Sequence, residues 1–237
     1  MRFAPALVAV AALGGSYSPL APFAAASASA SASTTATTQD RDWAQIITAT
    51  FKNNKPCGAT ANDVDCRTPA QAAPFVAQSF SAYGLTCPAE QAAVLAVMAL
   101  ESGEFHYKHN MFPPPGRPGQ GTANMQSPLF NLRYAKSIPA VAPHVANVTE
   151  DMVTGGGNGL PAAELNRILA LVTVDEYNFG SGAWFMSSQC AKAVRNVLRR
   201  TPDQGWLQYN AQCVGVPGDD PDRLAYWTRA KAAMDIK

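Results

Sequence analysis

The stretch AVMALESGEF, residues 96–105, is an apolar run that ends abruptly on Glu101. Glu101 follows Met98 by three residues, and positions at this spacing share one face of a helix. The pattern therefore predicts a helix with a carboxyl group on its apolar face. Because desolvation disfavours the charged form of a carboxylate, Glu101 is a candidate general acid. Two plainer interpretations stay open: Glu101 reaches water from the helix end, or it pairs with an arginine such as Arg117 or Arg133.

The composition is typical of one globular domain, with or without a tail. The chain has 237 residues, of which 47% are apolar and 15% are charged, and its formal net charge is +1. This balance lies far from the low hydrophobicity and high charge of disordered chains. The sequence has no basic stripe and no lysine-rich tail. Nucleic acids and membranes are therefore not predicted partners, and we expect a monomer.

The N-terminal residues have the composition of a targeting segment. Arg2 precedes a short apolar run and then small residues suited to cleavage, which together predict a secretory signal peptide over residues 1–26. A membrane anchor is the alternative, although the run falls short of the ~20 apolar residues that a bilayer requires. Residues 27–39, rich in Ser, Ala and Thr, are typical of a flexible linker or a removed pro-segment. We therefore expect a secreted, extracellular protein whose catalytic domain covers residues 40–237.

The cysteines all follow the signal segment, and in an oxidising compartment they are expected to pair. Cys57 and Cys66 flank a short polar loop, whereas Cys190 and Cys213 lie on neighbouring helical segments. These two pairs are the predicted disulfides. Cys87 is left over, either buried or paired in place of one of the others. No C-x2-C motif occurs, and the histidines are not close to the cysteines in sequence, so we predict neither a metal site nor a cofactor.

Apolar periodicity predicts a mainly α fold. Helices are expected to begin at Pro69, Pro88 and Pro221, because proline is favoured in the first helical turn. Pro74 lies inside the first of these helices and is expected to delay its start. Gly84 is typical of a residue that follows a helix end. We find no convincing run of alternating strand residues, and we expect long connections at 106–135 and 150–160.

The connection 106–135 is rich in proline, glycine and polar residues, which argues against one long helix. Long ordered loops in compact domains are usually functional. A disordered insertion is the alternative, and the apolar Met125, Leu129 and Phe130 argue against it. We expect a long Pro/Gly-rich loop that borders a cleft. Asn147 begins an Asn-Val-Thr glycosylation sequon, which predicts a surface position in a glycoprotein.

Three short motifs follow the order found in the lysozyme-like superfamily. Glu101-Ser102 resembles the helix end of goose-type lysozymes and lytic transglycosylases, where the Glu is the catalytic acid. Met125-Gln126 resembles the second half of a Gly-Leu-Met-Gln turn that lines their cleft. Tyr177-Asn178, with glycines after it, resembles their Ala-Tyr-Asn segment. The resemblance extends from about residue 88 to residue 230 and implies a lysozyme-like helical domain.

The resemblance also implies a role for each matched residue. Glu101 would act first as acid and then as base, with assistance from the substrate's N-acetyl group. Tyr177 would place its hydroxyl near Glu101. The implied substrate-binding residues are Ser102, Met125, Gln126, Tyr177 and Asn178. Ordinary structural interpretations also stay open: Gln126 as a surface amide, Tyr177 as a core aromatic, and Asn178 as a turn residue or helix cap.

Several residues depart from the family pattern. Gly121 is displaced by two positions from the expected turn, and Glu176 stands where the family has an alanine before Tyr177. Glycoside cleavage ordinarily uses a second carboxylate. The candidates for that role are Glu104, Asp175 and Glu176. Asp175 and Glu176 precede the third motif, whereas an exposed turn carboxylate is the favoured interpretation of Glu104.

The sequence-based hypothesis is therefore a secreted glycosidase of the muramidase type. It would cleave the β-1,4 bond between N-acetylmuramic acid and N-acetylglucosamine in peptidoglycan, by hydrolysis or as a lytic transglycosylase. Two alternatives stay open: an enzyme of the same fold that acts on chitin or chitosan, and a catalytically silent glycan-binding protein. All three predict a polysaccharide as the partner.

Overall fold

Helices make up most of the chain that the computed structural model describes, namely residues 41–58, 63–155 and 159–237. Within these ranges no β-strand forms, and two isolated bridges join Gly121 to His109 and to Gln126. The predicted mainly α class is therefore confirmed. The α-helices are α1 (Trp43–Thr50), α2 (Pro69–Ala82), α3 (Pro88–Glu101), α4 (Pro128–Ser137), α5 (Glu150–Thr154), α6 (Ala162–Ala170), α7 (Asp175–Ser188), α8 (Lys192–Arg200), α9 (Pro202–Tyr209) and α10 (Pro221–Ala233).

The predicted signal peptide (1–26) and linker (27–39) lie outside the described residues. The described residues all belong to one compact unit. None of the described helices has the length and apolar character needed to cross a bilayer. Asn147 is exposed, as its sequon predicts.

Both predicted disulfides are present. Cys57 and Cys66 are joined with their Cα atoms 5.6 Å apart, and Cys190 and Cys213 with theirs 5.2 Å apart. Cys87 is free and half-buried. The second bridge ties the end of α7 to the irregular turn Asn210–Val214, which is a short π-helical segment.

The proline signals locate three helix starts correctly. Helix α2 begins at Pro69 behind a capping box formed by Thr68 and Gln71, and Pro74 lies inside the helix without delaying its start. Gly84 follows the helix end with a φ of +63°, which a glycine adopts without a Cβ penalty. The loop predicted over 106–135 is wrong at its far end, because α4 already begins at Pro128, where Ser127-Pro128 gives the same start signal. The second connection also contains a short helix, α5.

Helix α3 is the centre of the larger core. Every residue from Ala89 to Ala99 is buried, including the polar Glu90 and Gln91, so this part of α3 has no solvent-facing side. It packs against α10, α7 and α8. The approach of α7 depends on Gly182, where an added Cβ would lie 2.8 Å from both Val94 Cγ1 and Met98 Sδ.

One buried charge fixes the start of α3. Glu90 has no exposed surface and accepts hydrogen bonds from Arg195 Nε at 2.6 Å and Arg199 Nε at 2.9 Å. Both arginines lie on α8. A buried carboxylate is tolerated only when it is paired and hydrogen-bonded, and this pairing sets how α8 packs on α3.

We expect Glu90→Gln to lower the free energy of unfolding by about 3 kcal/mol, because it leaves two guanidinium groups without their counter-charge. Urea denaturation monitored by circular dichroism measures the change. The matched control is Glu164→Gln, which breaks an exposed Glu–Arg pair on α6 and should leave the midpoint unchanged. Equal midpoints for the two variants would contradict this role of Glu90.

Candidate functional site

The end of α3 turns sharply, and this turn places the two carboxylates of the opening motif. Gly103, Glu104 and Phe105 are consecutive residues in the left-handed region, with φ values of +59°, +62° and +66°. For non-glycine residues this conformation costs roughly 1–2 kcal/mol each. Ser102 holds the turn: its buried hydroxyl donates to Met98 O at 2.6 Å and accepts from Phe105 N at 2.9 Å. Ser102 was a predicted substrate-binding residue, but both hydrogen bonds of its hydroxyl are made within this turn.

Glu104 anchors the turn and is not the exposed carboxylate that the sequence predicted. It is 3% exposed and accepts hydrogen bonds from the backbone amides of Lys52, Asn53 and Asn54 at 2.6 to 2.7 Å. Tyr226 on α10 donates its hydroxyl to the same carboxylate at 2.8 Å. Burial raises the pKa of Glu104, but these hydrogen bonds outweigh burial and hold the pKa below its usual range.

Glu101 pairs with Arg223, which lies in the first turn of α10. Arg223 Nη2 donates to Glu101 Oε1. The side chain of Arg223 is 13% exposed and that of Glu101 is 24% exposed. The alternative prediction that Glu101 pairs with an arginine is therefore confirmed, but the partner is neither Arg117 nor Arg133. Arg133 pairs with Glu150, and Arg117 lines a separate groove along the proline-rich loop.

A cleft of about 270 Å³ opens beside this ion pair. One wall is polar and comes from the loop before α4. The other is apolar and comes from α4, α7 and the segment after α9. The cleft is lined by Gln120, Asn124, Met125, Gln126, Ser127, Phe130, Phe185, Val214 and Val216, together with Glu101 and Arg223. The structure thus brings together three predicted site residues: Glu101, Met125 and Gln126.

The polar wall is built on a buried asparagine. Asn131 Nδ2 donates to Gly119 O at 2.8 Å and to Gln126 O at 3.1 Å, which ties the loop to α4. Gln126 is held in turn, because its Nε2 donates to Ser181 O on α7 at 2.9 Å. The loop is therefore ordered by side-chain hydrogen bonds, and Met125 adopts a positive φ of 46° within it.

Several buried oxygens around the cleft have no hydrogen-bond partner among the described residues. They include Asn124 Oδ1 and Gln126 Oε1, both from cleft-lining side chains, and the hydroxyl of Tyr209. Buried polar atoms are normally paired, so unpaired ones mark a place where a polar ligand or solvent would be stabilised. Burial and the negative charge of Glu101 together raise the pKa of Tyr209, so this phenol stays neutral beside the ion pair.

The third predicted motif is not part of this cleft. Tyr177 lines a different pocket with Glu176, and its carbonyl accepts a hydrogen bond from Tyr134. Asn178 is buried, and its carbonyl accepts from the Ser181 hydroxyl. The sequence hypothesis required the Tyr177 hydroxyl to lie near Glu101. The structure instead places these two residues in different pockets.

Asp175 carries a structural ion pair instead of facing Glu101. Arg67 Nε lies 2.8 Å from one of its carboxylate oxygens, and Lys108 Nζ lies 2.6 Å from the other. Burial raises the pKa of Asp175, but the two cationic donors outweigh burial and lower the pKa overall. Asp175 thus ties the proline-rich loop to the start of α7.

Sequence reasoning missed Arg223, Tyr209 and the apolar wall. Arg223 had a usable signal, since it lies two residues after Pro221 in a predicted first turn and three before Tyr226. Val214 and Val216 had none, because the π-helical turn Asn210–Val214 lacks a sequence signature apart from Gly215 after it, whose φ is +85°.

The described residues contain no group of three or more His, Cys, Asp or Glu side chains arranged to hold a metal ion. His109 Nδ1 lies 2.7 Å from Asp65 Oδ2, and His106 Nδ1 lies 2.9 Å from Gly103 O. Both histidines therefore face partners that hold the turn and the proline-rich loop in place.

The comparisons with known proteins point away from the sequence hypothesis. No protein-family profile matches the chain, and no solved structure matches it. A curated protein of Fusarium oxysporum (strain Fo5176), a bifunctional dioxygenase (DOX)-epoxy alcohol synthase (EAS), is 49% identical over 166 residues. This similarity covers 70% of the chain but only 12% of that protein.

The predicted membership of the lysozyme-like superfamily is wrong by this finding, since the relative is named as an oxygenating enzyme and not as a glycosidase. The same correction applies to the glycoside hydrolase or lytic transglycosylase activity, to the chitin and glycan-binding alternatives, and to the polysaccharide partner. The physical reason is that three dipeptide motifs are short enough to recur without a shared cleft. Here they are divided between the cleft, a structural turn and a second pocket.

We expect Glu104→Gln to lower the free energy of unfolding by about 3 kcal/mol at neutral pH, because charge-assisted hydrogen bonds are lost. The folded-state pKa of Glu104 lies below the ordinary 4.5. Its stabilisation is therefore present above that value and is lost as the pH falls through the folded-state pKa. Unfolding curves measured across this range should show that the difference in free energy of unfolding between variant and wild type becomes smaller below about pH 4. A difference that stays constant into acid would contradict the anchoring role.

Proposed function

We propose that the cleft beside Glu101 and Arg223 binds an oxygenated amphiphilic molecule of the epoxy alcohol class. The ligand class comes from the name of the similar Fusarium oxysporum protein. The chain spans about an eighth of that protein, which is 12% of its length. We therefore propose only that this chain binds the same class of ligand, and we assign it neither of the two enzymatic activities of the relative.

The observation that carries the proposal is the pairing of one donor and one acceptor beside an apolar wall. A ligand hydroxyl would donate to the Glu101 carboxylate, and an epoxide oxygen, which can only accept, would take a hydrogen bond from the Arg223 guanidinium. Arg223 has five N–H donors, of which Nη2 contacts Glu101 and Nη1 contacts Asn210 Oδ1 at 3.4 Å. Donors therefore remain for a ligand.

The apolar wall suits the carbon chain of such a molecule. Phe130 and Phe185 pack edge to face, with ring centroids 5.1 Å apart, and Val214 and Val216 continue the same wall. Ligand sites in proteins are typically apolar with a few polar groups that fix orientation. This cleft combines an apolar wall with a polar wall that supplies such orienting groups.

The chemistry that we assign to this chain is binding and orientation. We derive no oxygen-insertion step for this chain, because the similarity covers only 12% of the relative that is named for that activity. Glu101 would hold the ligand hydroxyl, and Arg223 would hold the epoxide oxygen.

We also propose that the protein is secreted and works in an oxidising compartment. Two observations support this: the apolar N-terminal segment with small residues after it, and the two disulfides in the described part of the chain. Disulfides persist mainly in oxidising environments. Mass spectrometry of the N-terminal peptide of the secreted protein would identify the mature N-terminus. A protein that stays inside the cell and starts at Met1 would contradict the proposal.

The binding proposal predicts that a long-chain epoxy alcohol, with hydroxyl and epoxide on neighbouring carbons, binds the wild-type protein in isothermal titration calorimetry. Glu101→Gln should weaken binding about tenfold, which corresponds to one charge-assisted hydrogen bond. Phe130→Ala should weaken binding through lost apolar contact. The corresponding alkane with a single terminal hydroxyl should bind more weakly than the epoxy alcohol.

The matched control is again Glu164→Gln, because Glu164 also pairs with an arginine but lies outside the cleft. Circular dichroism melting would establish that each variant is folded. The proposal fails if the wild type does not prefer the epoxy alcohol over the simple alcohol. It also fails if a folded Glu101→Gln binds as tightly as Glu164→Gln.

A further inference from the structure

A second pocket lies between α2, the end of α4 and the start of α7. It has a volume of about 180 Å³ and shares no lining residue with the cleft. Pockets for drug-sized ligands usually span roughly 300–1,000 Å³, so this one suits a small group. We call it the tyrosine pocket, after Tyr83, Tyr134 and Tyr177 in its lining.

Aromatic rings come to this pocket from three segments of the chain. Phe75 lies on α2 and Tyr83 follows its last residue. Tyr177 lies on α7, and Tyr134 on α4 is almost fully buried at 1% exposure. The Tyr134 hydroxyl donates to Tyr177 O at 2.9 Å, which fixes the ring. Gly180 makes room for that hydroxyl, since an added Cβ would lie 2.5 Å from it.

One solvent-exposed carboxylate is among the residues that line this pocket. Glu176 lines the pocket and lies in the first turn of α7, where the helix dipole stabilises a negative charge. Among the described residues no cationic side chain pairs with Glu176, and no basic residue lines the pocket. The pocket is therefore electronegative.

The tyrosines respond to this charge. Burial raises the pKa of Tyr83 and of Tyr134, and the negative charge of Glu176 raises both further. The Glu176 charge therefore acts on phenols from two different segments of the chain. The phenols remain neutral near neutral pH, so their ring faces keep the negative potential that attracts cations.

We infer that the tyrosine pocket binds an alkylammonium group. Aromatic faces attract quaternary ammonium ions through cation–π interactions, which contribute about 0.5–2 kcal/mol each depending on exposure. The Glu176 carboxylate supplies the counter-charge. The small volume suits one methylated ammonium headgroup, and the half-exposed Tyr83 and Tyr177 leave the pocket open to solvent.

Tetramethylammonium chloride is the probe, titrated against ¹⁵N-labelled protein at constant chloride concentration. We expect saturable shifts at Gly180 and its neighbours with a Kd of about 1 mM. Glu176→Gln should weaken binding at least tenfold. Tyr83→Phe, which keeps the aromatic face, should retain binding, whereas Tyr83→Leu should lose most of it. tert-Butanol, a neutral molecule of similar shape, should bind much more weakly.

The control is Glu164→Gln, which should bind the probe as the wild type does. The inference is overturned if tert-butanol binds as well as tetramethylammonium, since the pocket would then accept any small apolar group. It is also overturned if Glu176→Gln keeps full affinity, or if shifts do not saturate. Because the two pockets share no residue, Glu176→Gln should leave epoxy alcohol binding unchanged, and either proposal can fail without the other.

Discussion

Two carboxylates at the end of α3 contact two residues of α10, and the arrangement of the cleft depends on this double contact. Glu101 pairs with Arg223, and three residues later Glu104 accepts from Tyr226. Glu104 also holds the chain after α1 through three backbone amides. The left-handed turn at residues 103–105 would be unfavourable without these bonds. Together they fix where the Glu101 carboxylate points and leave one side of it open to the cleft.

The fold was predictable where local signals decide it. Proline in the first turn located α2, α3 and α10, and cysteine spacing gave both disulfides. The signals failed where tertiary contacts decide. Glu104 has the sequence context of an exposed turn residue, yet partners some 50 and 122 positions away bury it. Glu101 was placed correctly at the end of a buried helix, but its partner lies 122 residues away, a distance at which sequence patterns carry no pairing information.

The function predicted from the sequence is wrong for a related reason. A motif such as Glu-Ser specifies two neighbouring side chains, and the structure uses Ser102 to close a turn while Glu101 faces the cleft. Motif order along a chain does not establish convergence in space, since Tyr177 lies in another pocket. The comparison with the Fusarium oxysporum protein replaces the glycosidase hypothesis. The geometry then limits what the described residues do: they present a donor, an acceptor and an apolar wall in one cleft.

The most direct test observes the Glu101 carboxylate itself. In protein labelled with ¹³C at the glutamate carboxyl carbons, the Glu101 resonance is identified by its loss in Glu101→Gln. Addition of the epoxy alcohol should shift this resonance and leave that of Glu164 in place, because only Glu101 lines the cleft. A ligand that binds without moving the Glu101 resonance would show that the ion pair is structural and that the ligand site lies elsewhere.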